Sequence, residues 1–304
     1  MAELQHQNWK GTTGGTPWMQ RCLIVWLKHF SLRSLYAVMA LLIPWYILFN
    51  AEHRMAIWRY FHLRQGYAPL KAARYTFRDY YRFGQVILDR FAVYAGVKFD
   101  FVQEGLEEFH KKCDEGNGVL LLCSHIGNLE ISGYSFSAGN HRVNSVVFAG
   151  ETRTVQENRA KSFSGNNIRM IPVREDMSHI FAVNSSLADG EIVTIHADRL
   201  FGSTKGIEAE LLGAPALFPR GPFTLAVQRN VPTFAMFALK TGYKSYRVIF
   251  RPLSLPSEAL GTSRERERAL LGEYAAAVEG VLKEYPEQWF NFFEFWKQGR
   301  EEND

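Results

Sequence analysis

The chain is poor in the residues that staple small proteins or hold metal clusters. Its three cysteines, Cys22, Cys113 and Cys123, are an odd number without ligand spacing. That excludes a disulfide scaffold and a thiolate metal cluster, and it fits a reduced, cytoplasm-facing body. Blocks of like charge are also missing. Lys and Arg number 35 against 31 Asp and Glu, a formal net charge of +4 spread along the chain. Nucleic acid is therefore not an expected partner, whereas anionic lipid or phosphate is compatible with this mild excess. Several motifs are absent. Gly133-Tyr134-Ser135-Phe136-Ser137 lacks the last glycine of a lipase-type elbow, and Gly202-Ser203-Thr204-Lys205-Gly206 lacks phosphate-loop spacing. No dinucleotide fingerprint, internal repeat or low-complexity segment occurs. No apolar run starts early enough, or ends in a suitable cleavage pattern, for a signal peptide.

What is present begins with aromatics, at 14% high for a soluble enzyme and frequent near both ends of the chain. Residues 1–20 are polar and read as a flexible start, with a turn over 11–17. Residues 21–95 read as a membrane-associated helical region, and 96–304 as the catalytic domain. Within the helical region, residues 34–51 carry no charge. At 1.5 Å per residue they reach about 27 Å, close to the hydrocarbon thickness of a bilayer. Pro44 lies near the middle, and Arg33, Arg54, Arg59 and Arg64 make both flanks basic. Charge therefore does not choose an orientation, and a single span, an in-plane or re-entrant helix and a buried amphipathic helix all stand. Basic-aromatic helical spacing continues to Tyr94.

Beyond Gly118 short β-like runs alternate with helical segments, the pattern of an α/β layered fold with a mixed, largely parallel sheet flanked by helices. Strands are expected over 119–123, 143–148, 168–173, 192–196, 233–239 and 246–250. One helix should be capped by Asp176 and stopped at Gly190, and another should begin after Gly221 with Pro222 in its first turn. A third opens with a Thr262/Glu265 capping box and keeps one apolar face until Pro286.

The stretch 118–130 organises the rest. A buried strand ends at His125, and Gly127 and Asn128 break the extended pattern before a helix that carries Glu130. That corner is where α/β sheets hold ligands. Five residues of ideal helix turn roughly 500°, so His125 and Glu130 point about 140° apart on one straight helix. They meet only if His125 precedes the first turn. Two readings follow from spacing: a general base oriented by a carboxylate, or a histidine satisfied by backbone beside a solvated acid. Residues 192–205 form a second strand ending in polar groups. If the strands are parallel, His196, Asp198 and Arg199 share the edge with His125. Arg199 and Arg220, the latter just before a helix start with Gly221, suit an anion, or else serve structure. His125, Glu130, His196 and Asp198 lack a compact metal motif, and no metal is expected.

His125-Ile-Gly-Asn-Leu-Glu130 resembles the His-x4-Asp/Glu motif of the lysophospholipid acyltransferase superfamily. The surrounding pattern is most similar to its lipid A late (lauroyl/myristoyl) acyltransferase branch, with Leu129 in place of the usual tryptophan. The resemblance continues through Asp198-Arg199, where many members have Asp-Gln, Phe201-Gly202, Gly221-Pro222-Phe223-Thr224-Leu225-Ala226 and Pro286-Glu287-Gln288-Trp289-Phe290. The glycerolipid branch's Glu-Gly-Thr-Arg block is missing, which speaks against a glycerol-phosphate acceptor. The resemblance implies a bacterial inner-membrane acyltransferase with its catalytic domain on the cytoplasmic side. It would take an acyl thioester from acyl carrier protein or coenzyme A and pass the chain to a lipid acceptor without metal or redox cofactor. His125 and Glu130 would be catalytic, and Asn128, Asp198, Arg199, Arg220 and Gly221 would meet substrate. A lipid A precursor leads as acceptor; an amino-acid lipid or aryl-polyene lipid, a non-catalytic membrane scaffold and a lipid hydrolase are the alternatives.

Overall fold

The computed structural model describes residues 17–135, 141–148, 167–174, 176–200, 206–257, 259 and 261–297. Helix α1 (Pro17–His29) opens it, so residues 17–20 are the first helical turn and not the end of a loop; a proline at the first position costs no hydrogen bond. The rest of the expected flexible start lies outside the described residues. Helices α2 (Leu32–Phe49) and α3 (Ala51–Arg59) follow, then one π-turn (Tyr60–Arg64) and the long α4 (Pro69–Tyr94).

A seven-stranded sheet forms the centre. In chain order its strands are β1 (Asp100–Glu104), β2 (Val119–Gly127), β3 (Val143–Phe148), β4 (Ile168–Val173), β5 (Ile192–His196), β8 (Thr233–Lys240) and β9 (Ser245–Leu253). They lie side by side as β1-β9-β8-β2-β5-β3-β4. Every neighbouring pair is parallel except β8 and β9. The fold is therefore the mixed, largely parallel α/β sheet expected. A separate antiparallel hairpin, β6 (Gly206–Leu211) and β7 (Ala214–Pro219), was not anticipated.

Strand β2 is buried on both faces, and its residues divide between two cores with the period of two that a pleat requires. Leu120 and Leu122 join a large core with Phe223 of α8 (Arg220–Arg229) and Leu270, Leu271 and Tyr274 of α9 (Ser263–Glu284). Val119, Leu121 and Cys123 join a smaller core with Phe109 and Cys113 of α5 (Leu106–Asp114). Helix α7 (Ser178–Ala188) starts after Met177, with the Ser178 N–H donating to Asp176, so the expected cap is used two residues before the helix body. Helix α8 already begins at Arg220, which puts Pro222 at its third position. The Thr262/Glu265 capping box forms as expected.

Candidate active site

Pairing register brings the site together. Cys123 of β2 lies opposite His196 of β5, and the ladder continues with the Ala197 N–H on the Cys123 carbonyl at 2.9 Å. Two residues farther along each strand, His125 must meet Asp198. It does: the Asp198 carboxylate takes the His125 backbone N–H at 2.7 Å and Nδ1 at 2.8 Å, one oxygen for each. Parallel pairing thus puts His196 and Asp198 on the His125 edge, as anticipated.

The strand does not stop at His125, however. It runs to Gly127, and between Cys123 and Gly127 it slips out of register with β8: four residues on β2 advance against two on β8. Such bulges re-aim side chains at sheet ends. Gly127 makes this one possible. Its φ is +71°, and a Cβ there would collide with the Ala238 carbonyl, which instead accepts the Asn128 N–H at 2.7 Å. Chain from the C-terminus occupies the space left on β2. Trp289 bridges Ile126, and the Phe290 N–H donates to the His125 carbonyl at 3.2 Å. Tyr274 of α9 donates its hydroxyl to the Cys123 carbonyl at 2.8 Å.

The His125 ring keeps 26% of its side chain exposed, whereas Asp198 is buried to 1%. Burial alone would raise the Asp198 carboxyl, but His125, Arg199 and His196 outweigh it and hold the group well below the usual carboxylate range. An ionised Asp198 on Nδ1 fixes the proton there and makes Nε2 the basic nitrogen. Crowding, and then the Arg199 guanidinium, push His125 below the ordinary imidazole value against the pull of Asp198. His196 stacks on the ring at 4.4 Å between centroids. His125, His196 and Asp198 each bring one donor atom within 4.8 Å of the others, and they are the cluster among the described residues that could hold a divalent cation. Asp198 already gives both oxygens to His125, so a cation would compete with the Nδ1 bond.

Glu130 stands in the first turn of α6 (Leu129–Ser135). Its carboxylate accepts a hydrogen bond from Tyr94 and pairs with Arg90 at 3.2 Å, with 8% of the side chain exposed. The acid on Nδ1 is therefore Asp198, and Glu130 is held from α4. Arg90 and Tyr94 escaped the sequence reading, although their i, i+4 spacing puts them on one helix face. Asn128 turns inward. Its amide donates to the Val86 carbonyl and Tyr246 hydroxyl at 3.3 and 3.4 Å, and it accepts the Ile131 N–H at 3.2 Å, which ties the start of α6 to α4 and β9.

Arg199 lies beside this corner, its Nη2 donating to the Phe290 carbonyl at 2.7 Å. Its Nε is buried without a partner among the described residues. Arg220 instead reaches α9, where Nε donates to the buried Glu267 at 2.6 Å, and Gly221 follows it on the exposed start of α8. Phe201 and Gly202 lie outside the described residues. The C-terminal motif proves to be a fastening. The Pro286 carbonyl accepts from Tyr60, Glu287 from Arg78, and the Gln288 amide clasps both the N–H and the carbonyl of Lys240 at 2.9 Å.

Residues 85–298 match the family model described as bacterial lipid A biosynthesis acyltransferase. Among curated proteins nothing matches the chain.

Proposed function

Since the chain belongs to the bacterial lipid A biosynthesis acyltransferase family and is an acyltransferase, we propose that it moves a fatty acyl chain from an acyl thioester to a hydroxyl of a lipid A precursor-like glycolipid. The donor would be carried by acyl carrier protein or coenzyme A. The observation that carries this reading is the His125–Asp198 pair at the open edge of the sheet, with an ionised carboxylate on one ring nitrogen and a basic lone pair on the other.

In this mechanism Nε2 takes the acceptor's hydroxyl proton as the oxygen attacks the thioester carbonyl carbon. Asp198 steadies the imidazolium that forms, as the buried acid does in other histidine-based sites. The tetrahedral intermediate collapses by breaking the carbon–sulfur bond. The departing thiolate then recovers the proton from His125, so the enzyme ends as it began. Glu130, the acid of the His-x4-Asp/Glu motif, serves as a second carboxylate of the site, set by Arg90 and Tyr94. Arg199 adds positive charge beside the reacting groups. Arg220 keeps 39% of its side chain exposed while bonded to Glu267, enough to meet an anionic head group. Membrane association brings the enzyme to its acceptor, with the catalytic domain on the cytoplasmic side.

The test is thiol release from acyl carrier protein or coenzyme A thioesters with candidate lipid acceptors, followed by mass spectrometry of the product. Transfer to a glycolipid hydroxyl is expected. Free fatty acid released without acceptor would replace the transferase with a hydrolase.

A further inference from the structure

Helix α2 is, among the described residues, the one long and apolar enough to cross a bilayer, and length and composition treat all of its sides alike. The structure divides it. Leu32, Leu35, Tyr36 and Ile43 are buried, while Val38, Leu41, Trp45 and Leu48 stand exposed on the opposite side. Each set follows the three-and-four spacing of one helix face.

The buried face runs antiparallel along α4 for nearly its whole length. Near one end the Tyr36 hydroxyl donates to Asp89, and Leu32 and Leu35 pack in one cluster with Leu88 and Ala92. In the middle, Met39 fills the space over Gly84 so closely that a Cβ there would collide with its sulfur. Farther along, the Tyr46 ring meets Tyr80 edge-on at 5.7 Å. Helix α4 cannot leave the body of the protein with α2, because Lys240 at the end of β8 donates to Asp89 at 2.6 Å with both side chains fully buried. Both ends of α2 also touch that body. Arg33 sits over the Tyr243 ring in the β8–β9 turn at 4.5 Å. Past the other end, His53 of α3 meets Phe292 and Arg59 pairs with Glu294. A spanning α2 would carry α4, with Arg82 and Arg90, and the sheet behind it into hydrocarbon, where charged groups are costly.

We propose that α2 is an in-plane membrane anchor: it lies along a single leaflet, its exposed apolar face in lipid and its other face on α4, and it does not cross the bilayer. The occupant is a lipid surface with anionic head groups. No charge interrupts the exposed face, Arg33 and Arg54 flank it, and Trp45 provides a ring suited to the interface. Helix α1 extends the surface with exposed Trp18, Val25, Trp26 and Phe30 beside Arg21 and Lys28. This deepens the reading of the chain as an enzyme working on lipid at a membrane. It also lays the leaflet alongside the helix whose Arg90 and Tyr94 hold Glu130.

The experiment uses His29→Cys and Glu52→Cys, one on either side of α2 and each made separately, in full-length protein that carries Cys22→Ser to remove the one exposed native cysteine and keeps the buried Cys113 and Cys123. Sealed membrane vesicles of known orientation are treated with an impermeant maleimide. Both positions should react from the same side. Labelling from opposite sides would show a span and overturn the proposal. In parallel, purified protein is floated with phosphatidylglycerol-containing vesicles. Leu41→Asp and Leu48→Asp should each lower the vesicle partition coefficient roughly tenfold or more, the loss expected for removing one buried leucine from lipid. Failure of the parent protein to float, or a dimer that these substitutions dissolve, would hand the face to another occupant. Neither readout requires turnover, so an error in the assigned reaction would leave this result standing, and the reverse also holds.

Discussion

The β2–β5 corner and the outer face of α2 solve opposite problems. At the corner, charged side chains are drawn out of water and almost every one is answered: Asp198 by the His125 backbone and ring, Glu130 by Arg90 and Tyr94. On the outer face of α2 there is no charge to answer, and apolar side chains stand exposed in numbers that a soluble surface rarely carries. The corner gains function from pairing, because a buried ionised carboxylate sets the state of the group beside it. The helix gains function from leaving a face unpaired. Substitutions at the corner should therefore cost turnover at constant membrane binding, and substitutions on the outer face of α2 should cost membrane binding at constant chemistry.

The largest test of that division is His125→Ala. Without the base, turnover should fall roughly 10^4-fold, at the upper end of what positioned proton transfer supplies. Vesicle flotation should stay at the parent level. Retained transfer by this variant would remove His125 from the mechanism, and a parallel loss of flotation would show that the two regions are not separable. Next comes Asp198→Asn, which keeps the shape but presents an amide to Nδ1. The preferred tautomer is lost, the imidazolium loses its counter-charge, and turnover should fall by roughly 10^2 to 10^4. Nitrogen-15 shifts of the ring, read alongside thiol release, check the tautomer directly. Acid should reveal the same carboxylate in stability. Its folded value lies below its unfolded one, so its contribution is present above the ordinary aspartate range and lost as pH falls through the folded value.

The two regions were also unequally legible in the sequence. Strands 143–148, 168–173 and 192–196 were bounded correctly, since short apolar runs between turn-forming residues leave little choice. Strand β1 was missed because Asp100 and Glu104 cap a half-exposed edge that does not look apolar. The β6–β7 hairpin was missed because its turn places Leu212 at φ +49°, a conformation seldom adopted by leucine, and prolines sit at both ends of β7. At the corner, the histidine and its neighbours on β5 could be foreseen from parallel strands. That Asp198 is the acid on Nδ1 could not, because it depends on a register offset that spacing within one segment does not contain. The opposite failure occurred on α2. Composition showed the uncharged window but not which of its faces the protein had already used.

Lys240→Met tests the joint between the two regions. Lys240 is 1% exposed and supports Asp89, which also accepts from Tyr36 of α2 and Tyr246 of β9. Removing one member of a buried pair strands the other, at a cost of about 3 to 5 kcal/mol. Denaturant midpoints measure it. Asp89→Asn in the same chain should recover part of that loss by removing the stranded charge. A change below about 1 kcal/mol in the single variant would place the mechanical tie between α2 and the sheet elsewhere.

The smallest effect separates two roles for Arg199. Its guanidinium holds the Phe290 carbonyl, and through Phe290 the backbone of His125, while its charge helps to push the His125 ring below the ordinary imidazole value. His125 must be neutral to accept a proton, so activity falls as pH drops through its folded value, and a lowered value keeps the enzyme working in mild acid. Arg199→Gln removes the charge but keeps a donor for the carbonyl. The imidazole should then bind protons more readily, and the acidic limb of kcat/KM should move to higher pH while the plateau changes little. Arg199→Lys restores charge and should return the limb toward its parent position. If Arg199 instead contacts the acceptor's anionic group, Arg199→Gln raises KM for that substrate at every pH and leaves the limb in place. The pH profile of kcat/KM, taken with KM for each substrate, therefore distinguishes a group that tunes the base from one that holds the lipid.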